Sequence, residues 1–575
     1  MKSQFRIDKS TLSADLVAGL TFALVNIPQS MAHALLAAVN PVFGLYTLML
    51  ATPVGALFTS AVFMNVSTTS ALAVAAGDTL LAYPPNFRGT VLVTLVFLIG
   101  IFQVALGLLR LGWVTRFIPF SVMTGFMTGV ALLIIIGQLG DFTGYYSPYS
   151  GKIAQVADLV LNEESIEWAT LAIGILTIVL IYLLGLTRLS KFSLAVALLL
   201  ASVVALLMNR FLVANIKLVG NVADVPPSLP SLVLPNPSLI LKLIVPAIAI
   251  GIIGLVQGAG VSQTFPNPDG KYSNVSRDFL GQGAANLAAG LFGGIPAGGS
   301  SSGTALVISS GARSRWANIF GGLAVAIVVL LFANQVEKVA MPALAGLVIV
   351  AGVRMINVNS IRTVWQTNPV SRIIMLVTFG STLVMPLQYA VLLGVAISIL
   401  LFVFQQSNIL RVVEWDVQDV GWPVEKPAPK QLESGTVTVL FIYGNLFYAA
   451  ADPFEKRLPS AEGTHRAVVI LLLRGYEDIG STVIAVLRRY TQALRVNGGK
   501  LILAGVAPSL RDQLQRTEML GFIGKENIFL ATETIGEAGN TALRAAMEWL
   551  AQSETDGDFG EKKISNRNLT RSSNG

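Results

Sequence analysis

The chain has 575 residues, 53% hydrophobic and only 12% charged, with a mean hydropathy of +0.68, whereas a soluble protein carries about twice that charged fraction. The formal net charge of +7 reads on such a chain as a bias of cytoplasmic loops, not as nucleic-acid binding. The absence of Cys excludes disulfides and thiolate metal sites, and with His33 and His465 as the only imidazoles a zinc enzyme is not expected.

Residues 1–14 read as a polar cytoplasmic leader carrying Lys2, Arg6 and Lys9, with no cleavable signal peptide. Residues 15–407 read as a transmembrane domain of fourteen segments. The first half predicts segment 1 near 15–38, broken at Pro28, segment 2 near 43–60, a short segment 3 near 69–77, segments 4 and 5 near 88–109 and 114–137, and segments 6 and 7 near 168–186 and 192–208. Polar loops at 140–167 and 209–237 interrupt it. The second half predicts segment 8 near 239–258, segment 9 near 278–292, a short segment 10 at 300–311, and segments 11 to 14 near 316–332, 340–356, 372–384 and 388–405.

The chain is organised around the two short segments. Residues 293–311, GGIPAGGSSSGTALVISSG, break the backbone with Pro, Gly and Ser before an apolar run too brief to cross a bilayer. Ser300, Ser301 and Ser302 are small hydroxyl residues suited to a helix start. Such a half-helix turns unpaired N–H groups and a positive dipole end into the interior, which holds an anion without a full charge in lipid. The competing reading is close packing of a Gly/Ser-rich helix. Residues 69–77, TSALAVAAG, mirror 303–311, GTALVISSG, with Ser70 matching Thr304, Ala71 matching Ala305 and Gly77 matching Gly311. Paired interrupted segments in two halves point to a transporter's binding site. Seven segments per half require the halves to insert with opposite orientation. With the N-terminus inside, Arg110, Arg188, Lys271, Arg313, Arg315, Arg354 and Arg372 fall on the cytoplasmic side, against Arg88, Lys152, Arg210, Lys217 and Lys338 outside, so both termini are expected to be cytoplasmic.

Residues 408–434, with Pro423, Pro427 and Pro429, read as a linker. Beyond it, strands at 436–443, 467–473 and 500–504 alternate with helices at 452–458, 479–494, 508–520 and 536–550, which predicts a small α/β domain over 435–552. The polar tail 553–575 is expected to be disordered.

Three stretches resemble a known family. Residues 27–46, IPQSMAHALLAAVNPVFGLY, and 281–296, GQGAANLAAGLFGGIP, resemble signatures of the SulP anion permeases, relatives of prestin and pendrin, and 435–552 resembles a STAS domain. The resemblance implies a 7+7 inverted repeat with a mobile core (segments 1–4 and 8–11) and a gate (5–7 and 12–14), an anion between segments 3 and 10, elevator-like movement, and a homodimer in the cell membrane. Carried over onto this chain, it implies anion contacts from Gln29, His33, Ser70 and Ser302, with Thr69, Ala71, Ser301, Gly303 and Thr304 beside them. Two positions depart from the pattern: Gly303 stands where many relatives have Arg, and Gln257 where many have a carboxylate. A neutral Gln257 lacks the charge that hard-cation sites favour, so Na⁺ coupling is not expected. Losing both charges together leaves the site's net charge unchanged.

For Gln29 the competing role is pairing backbone groups freed by Pro28; for Ser70, Ser302 and Thr304 it is capping. His33 lies one turn from Gln29 and titrates near physiological pH, so protonation and anion binding are expected to favour each other, the alternative being simple packing. In the α/β domain Gly480 replaces the Asp of an Asp-Ser-Thr phosphosite turn, and Ser481 reads as a helix cap. The expected function is secondary transport of a small inorganic anion, sulfate or bicarbonate first and chloride or nitrate behind, with H⁺ symport or exchange. The alternatives are a membrane anchor for the STAS domain and a nucleobase permease of the same fold. No cofactor is expected; the STAS domain is a candidate surface for a regulatory partner.

Overall fold

The computed structural model describes residues 9–149, 151–212, 214–222, 228–416 and 424–552. The chain divides into two compact units, Met1–Ser398 and Ile399–Gly575.

All fourteen expected segments are helices, thirteen within the first unit and the last running past its end at Ser398. They are Lys9–Leu36, Val42–Phe58, Ser70–Leu80, Arg88–Leu108, Phe120–Gly137, Trp168–Gly185 and Ser193–Phe211 in the first half. Ile240–Thr264, Val275–Leu291, Ser301–Ser309, Trp316–Val336, Met341–Met355, Pro369–Val384 and Leu387–Asn408 follow in the second. Among the described residues nine helices are long and apolar enough to cross a membrane. Segments 3 and 10, of 11 and 9 residues, are not.

Segment 1 departs from expectation in two respects. It is one continuous helix through Pro28, and it begins at Lys9, inside the expected leader. Proline removes one i→i−4 bond and need not end a helix held by neighbours; here Asn26 Nδ2 and Ser30 Oγ donate to the carbonyls of Phe22 and Ile27 on either side of it. Four helices lie in stretches read as loops: Leu139–Thr143, Lys152–Leu161, Val219–Val222 and Val358–Thr367.

Packing sorts the segments into two groups. Segment 9 packs on 4 and 2, segment 11 on 1 and 2, and segment 8 on 4. Segment 13 packs on 5, segment 12 on 6 and 5, and segment 6 on 7. The first group falls among the segments expected to form the core and the second among those expected to form the gate. The core is braced by buried ionic groups: Asp278, 0% exposed, accepts from Ser60 N, Ala61 N and Ser262 Oγ at 2.7, 3.0 and 2.7 Å. Arg315, in the turn before segment 11, is nevertheless 0% exposed, and its Nη1 donates to Ala56 O at 2.7 Å. Hydrogen bonds of this kind satisfy buried charges that would otherwise be costly.

The two halves meet in a ribbon that the sequence did not predict. Strand β1 (Asn65–Thr68) leads into segment 3, strand β2 (Ala297–Ser300) leads into segment 10, and they pair antiparallel from Asn65↔Ser300 to Thr68↔Ala297. Antiparallel pairing sends the two half-helices away in opposite directions, as an inverted repeat requires. Gly299 lets the ribbon lie against segment 8, because a Cβ there would stand 2.6 Å from Gly258 Cα.

The second unit holds a six-stranded sheet in the order β4-β3-β5-β6-β7-β8. Strands β5 (Val437–Tyr443), β6 (Val468–Leu472), β7 (Lys500–Val506) and β8 (Ile528–Leu530) run parallel, and β3 (Arg411–Asp416) joins β5 antiparallel with β4 (Val424–Pro427) on its outer side. The expected linker therefore contributes two strands; its proline-rich composition suits an edge strand as well as a loop. Helices Ala451–Arg457, Ser481–Val496 and Pro508–Arg516 lie near their predicted positions, with Met519–Ile523 following. The last helix covers 537–552. Gly480, not Ser481, occupies the cap position of the helix Ser481–Val496. Residues 1–8 and the tail 553–575 lie outside the described residues.

Candidate functional site

The half-helices are capped by their own sequences. Thr69 accepts the Leu72 N–H at the start of segment 3, and Ser300 accepts the Gly303 N–H at 3.0 Å at the start of segment 10. In the first turn of a helix the leading N–H groups have no carbonyl behind them. At Ser70 and Ala71, and at Ser301 and Ser302, these donors therefore remain for something other than the helix.

Both starts line one cavity of about 410 Å³. Segment 1 contributes Gln29 and His33; the first half-helix contributes Thr68, Thr69, Ser70 and Ala71; the second contributes Gly299, Ser300, Ser301 and Ser302; segment 8 contributes Gln257. Eight of the ten residues singled out in the sequence are thus brought together. Gly303 and Thr304 are not in this lining. Gly303 backs onto Asn65, whose Oδ1 lies 2.7 Å from where a Cβ would be. Thr304 is 0% exposed; its Oγ1 accepts the Asn65 N–H at 3.0 Å and donates to Ser300 O at 2.6 Å. It ties the second half-helix to the strand before the first.

The polar side chains in the cavity are linked. Thr69 Oγ1 donates to Gln257 Oε1 at 3.1 Å, joining segments 3 and 8. His33 Nδ1 lies 2.8 Å from Thr68 Oγ1 and Nε2 lies 2.9 Å from Ser70 Oγ. Met127, Leu194, Val350, Ala351 and Met355 form an apolar wall from segments 5, 7 and 12.

Arg354, in the last turn of segment 12, also lines the cavity. Sequence reasoning placed it among the loop cations and expected a site without a full positive charge. The guanidinium comes from the gate, whereas the familiar Arg position at Gly303 is on the core. The signal available was its place at a helix C-terminus opposite the core, which only the packing makes meaningful. The arrangement offers backbone N–H donors, hydroxyls, two carboxamides and one guanidinium, and among the described residues no carboxylate lines the cavity. It is chemistry for a small anion. Among the described residues no cluster of His, Cys, Asp and Glu could hold a metal ion.

A fourteen-segment inverted repeat with two half-helices starting at one cavity is an architecture of multi-pass secondary transporters. The chain belongs to the sulfate permease family, which matches residues 12–378, and a STAS domain matches residues 428–535. The family is one of anion transporters, not enzymes. The chain is 26% identical over 523 residues to a putative sulfate transporter, YvdB, of Bacillus subtilis, covering 90% of this chain and 95% of that one. It is 26% identical over 416 residues to the bicarbonate transporter BicA of Picosynechococcus, covering 70% and 72% of the two chains. Among solved structures, SLC26A9 aligns with a TM-score of 0.82 at 19% identity, over 97% of this chain and 92% of the other.

Proposed function

We propose that this chain is a secondary active transporter of a small inorganic anion, sulfate or bicarbonate first and chloride or nitrate behind. The observation that carries the reading is the cavity itself, whose lining brings together the starts of two oppositely running half-helices and Arg354. Gln29, His33, Thr69, Ser70, Ala71, Gln257, Ser301 and Ser302 are the proposed anion-lining residues of the core. The core, segments 1–4 and 8–11, carries the anion past the gate by elevator-type movement. As it moves, the anion exchanges its contact with Arg354 for water, so the gate cation sets affinity on one side only.

Coupling is to H⁺ or to a second anion. Na⁺ coupling is disfavoured, because Gln257 is neutral and already accepts the Thr69 hydroxyl. The protein is placed in the cell membrane with both termini cytoplasmic, as a homodimer, with the STAS domain available to a regulatory partner. A nucleobase substrate is disfavoured by neutral Gln257 in segment 8 and by the lack, among the described residues, of a carboxylate in the cavity lining, and a passive anchor has no need of the ribbon and its half-helices. Uptake of labelled sulfate, bicarbonate and chloride into proteoliposomes, under imposed H⁺ or Na⁺ gradients, tests the reading. Accumulation of at least one anion without a Na⁺ gradient is expected; no uptake of any of them would overturn it.

A further inference from the structure

His33 is held between two hydroxyls, Thr68 Oγ1 at 2.8 Å from Nδ1 and Ser70 Oγ at 2.9 Å from Nε2. Thr68 ends β1 and Ser70 opens segment 3, and all three side chains belong to residues lining the anion cavity. A neutral imidazole has one N–H donor and one bare acceptor nitrogen. One of the two hydroxyls must therefore turn its hydrogen onto the ring, where the cavity cannot use it. An imidazolium donates at both nitrogens. Both hydroxyls then accept from the ring, and both are free to point their hydrogens into the cavity. A single proton taken from water onto the bare nitrogen thus adds one positive charge and one further O–H donor to the same small space.

The charged groups around His33 are few. Segments 2, 10 and 11, which pack on segment 1, carry none within their helical ranges. Segment 3 carries Asp78 beyond its second turn, segment 7 carries Arg210, the turn Ser190–Phe192 carries Lys191, and segment 12 carries Arg354. Among the described side chains of these, Arg354 lines the cavity and Asp78 and Arg210 do not. With a guanidinium in the same lining and, among the described residues, no carboxylate there, the partner available to an imidazolium is an anion.

We propose that His33 is the proton site of the transporter and that it works by reversing a hydroxyl. Protonation converts the Thr68–His33–Ser70 bridge from a brace that consumes a hydroxyl hydrogen into a donor pair for the anion. Proton and anion then bind together, each raising the affinity for the other by the same factor. The inference rests on the anion-transport reading above and supplies its coupling device. It differs from a purely structural His33, which would hold segment 3 equally well at every pH.

The test compares the full-length wild type with His33→Gln, whose carboxamide keeps one donor and one acceptor but gains no proton. Binding of sulfate and of chloride is measured by calorimetry between about pH 5 and 8, and proteoliposomes containing a pH dye report proton entry during uptake. In the wild type, affinity is expected to tighten toward acid by at most about tenfold per pH unit, the limit for one linked proton, with dye acidification accompanying uptake. In His33→Gln the pH profile is expected to be flat and the dye silent, whatever the absolute affinity. Ser70→Ala, which removes a hydroxyl and leaves the imidazole, is expected to shrink the acid gain, and serves if His33→Gln does not fold. A flat wild-type profile, or an acid slope kept in His33→Gln or undiminished in Ser70→Ala, overturns the proposal while leaving anion transport standing. A wild type that binds and moves no anion at any pH removes the transport reading and the proton site with it.

Discussion

Thr304→Val distinguishes a residue that touches the anion from one that builds the site. Thr304 sits in segment 10 at the position mirrored by Ser70, yet its hydroxyl is spent between Asn65 N and Ser300 O. Valine keeps the shape and removes the oxygen. The Asn65 N–H, in a residue 0% exposed, then loses the Thr304 acceptor, which costs about 1–3 kcal/mol. With an unfolding entropy of about 2.1 cal/mol/K per residue, the unit Met1–Ser398 loses about 1–4 °C in Tm for that penalty. Thermal denaturation of the detergent-solubilised full chain, followed by fluorescence, reads this directly, and anion uptake by the same preparation reads function. The expected result is a lowered Tm with an unchanged KM. An unchanged Tm with a raised KM would show that Thr304 contacts the anion and that its place behind the cavity is not its role.

Arg354→Gln is expected to raise the KM for anion severalfold while leaving Tm within about 1 °C, since an exposed helix-end cation contributes little to stability; an unchanged KM in uptake assays would remove the guanidinium from the site. Asp78 Oδ2 accepts the Leu387 N–H at the start of segment 14 at 3.2 Å, so Asp78→Asn loses a charge at a helix N-terminus worth about 0.3–2 kcal/mol and is expected to loosen contact between core and gate. Because the chain has no Cys, single-cysteine labelling reports that loosening without background, and identical labelling in Asp78→Asn and its parent would refute it. Uptake driven steeply by an inward Na⁺ gradient would contradict the role given to Gln257. In the second unit, a Cβ at Gly480 would stand 2.9 Å from Tyr448 N, so Gly480→Ala is expected to lower the Tm of that unit, and a calorimetric transition that does not move would show that the loop yields.

The fourteen segments could be read from composition because each is an apolar run bounded by polar or Gly/Pro punctuation, and lipid permits few alternatives to a helix. The candidate site was legible for a related reason: two short interrupted segments with matching residues have no use in a simple span. What composition does not encode is how segments meet. The β1–β2 ribbon is four residues a side, and stretches such as 297–300, AGGS, have no strand propensity; pairing across the halves makes it. Arg315 and Arg354 looked alike as loop cations, yet one is buried on carbonyls and the other faces the cavity. Thr304 looked like a ligand because its residue type and mirrored place suited one, and only the Asn65 N–H shows where its hydroxyl is used. The linker strands were missed because β3 and β4 are completed by β5, a pairing beyond local pattern.

The central claim is that anion is held by the free N–H groups at the two half-helix starts. Ser302→Pro tests it most directly. Proline is tolerated in the first turn of a helix and deletes one N–H there, at a residue that lines the cavity. Proteoliposome uptake of labelled sulfate, bicarbonate and chloride should show accumulation of at least one anion by the wild type and none by Ser302→Pro, although the variant elutes and melts as a folded protein. Uptake by Ser302→Pro with the wild-type KM would contradict the claim.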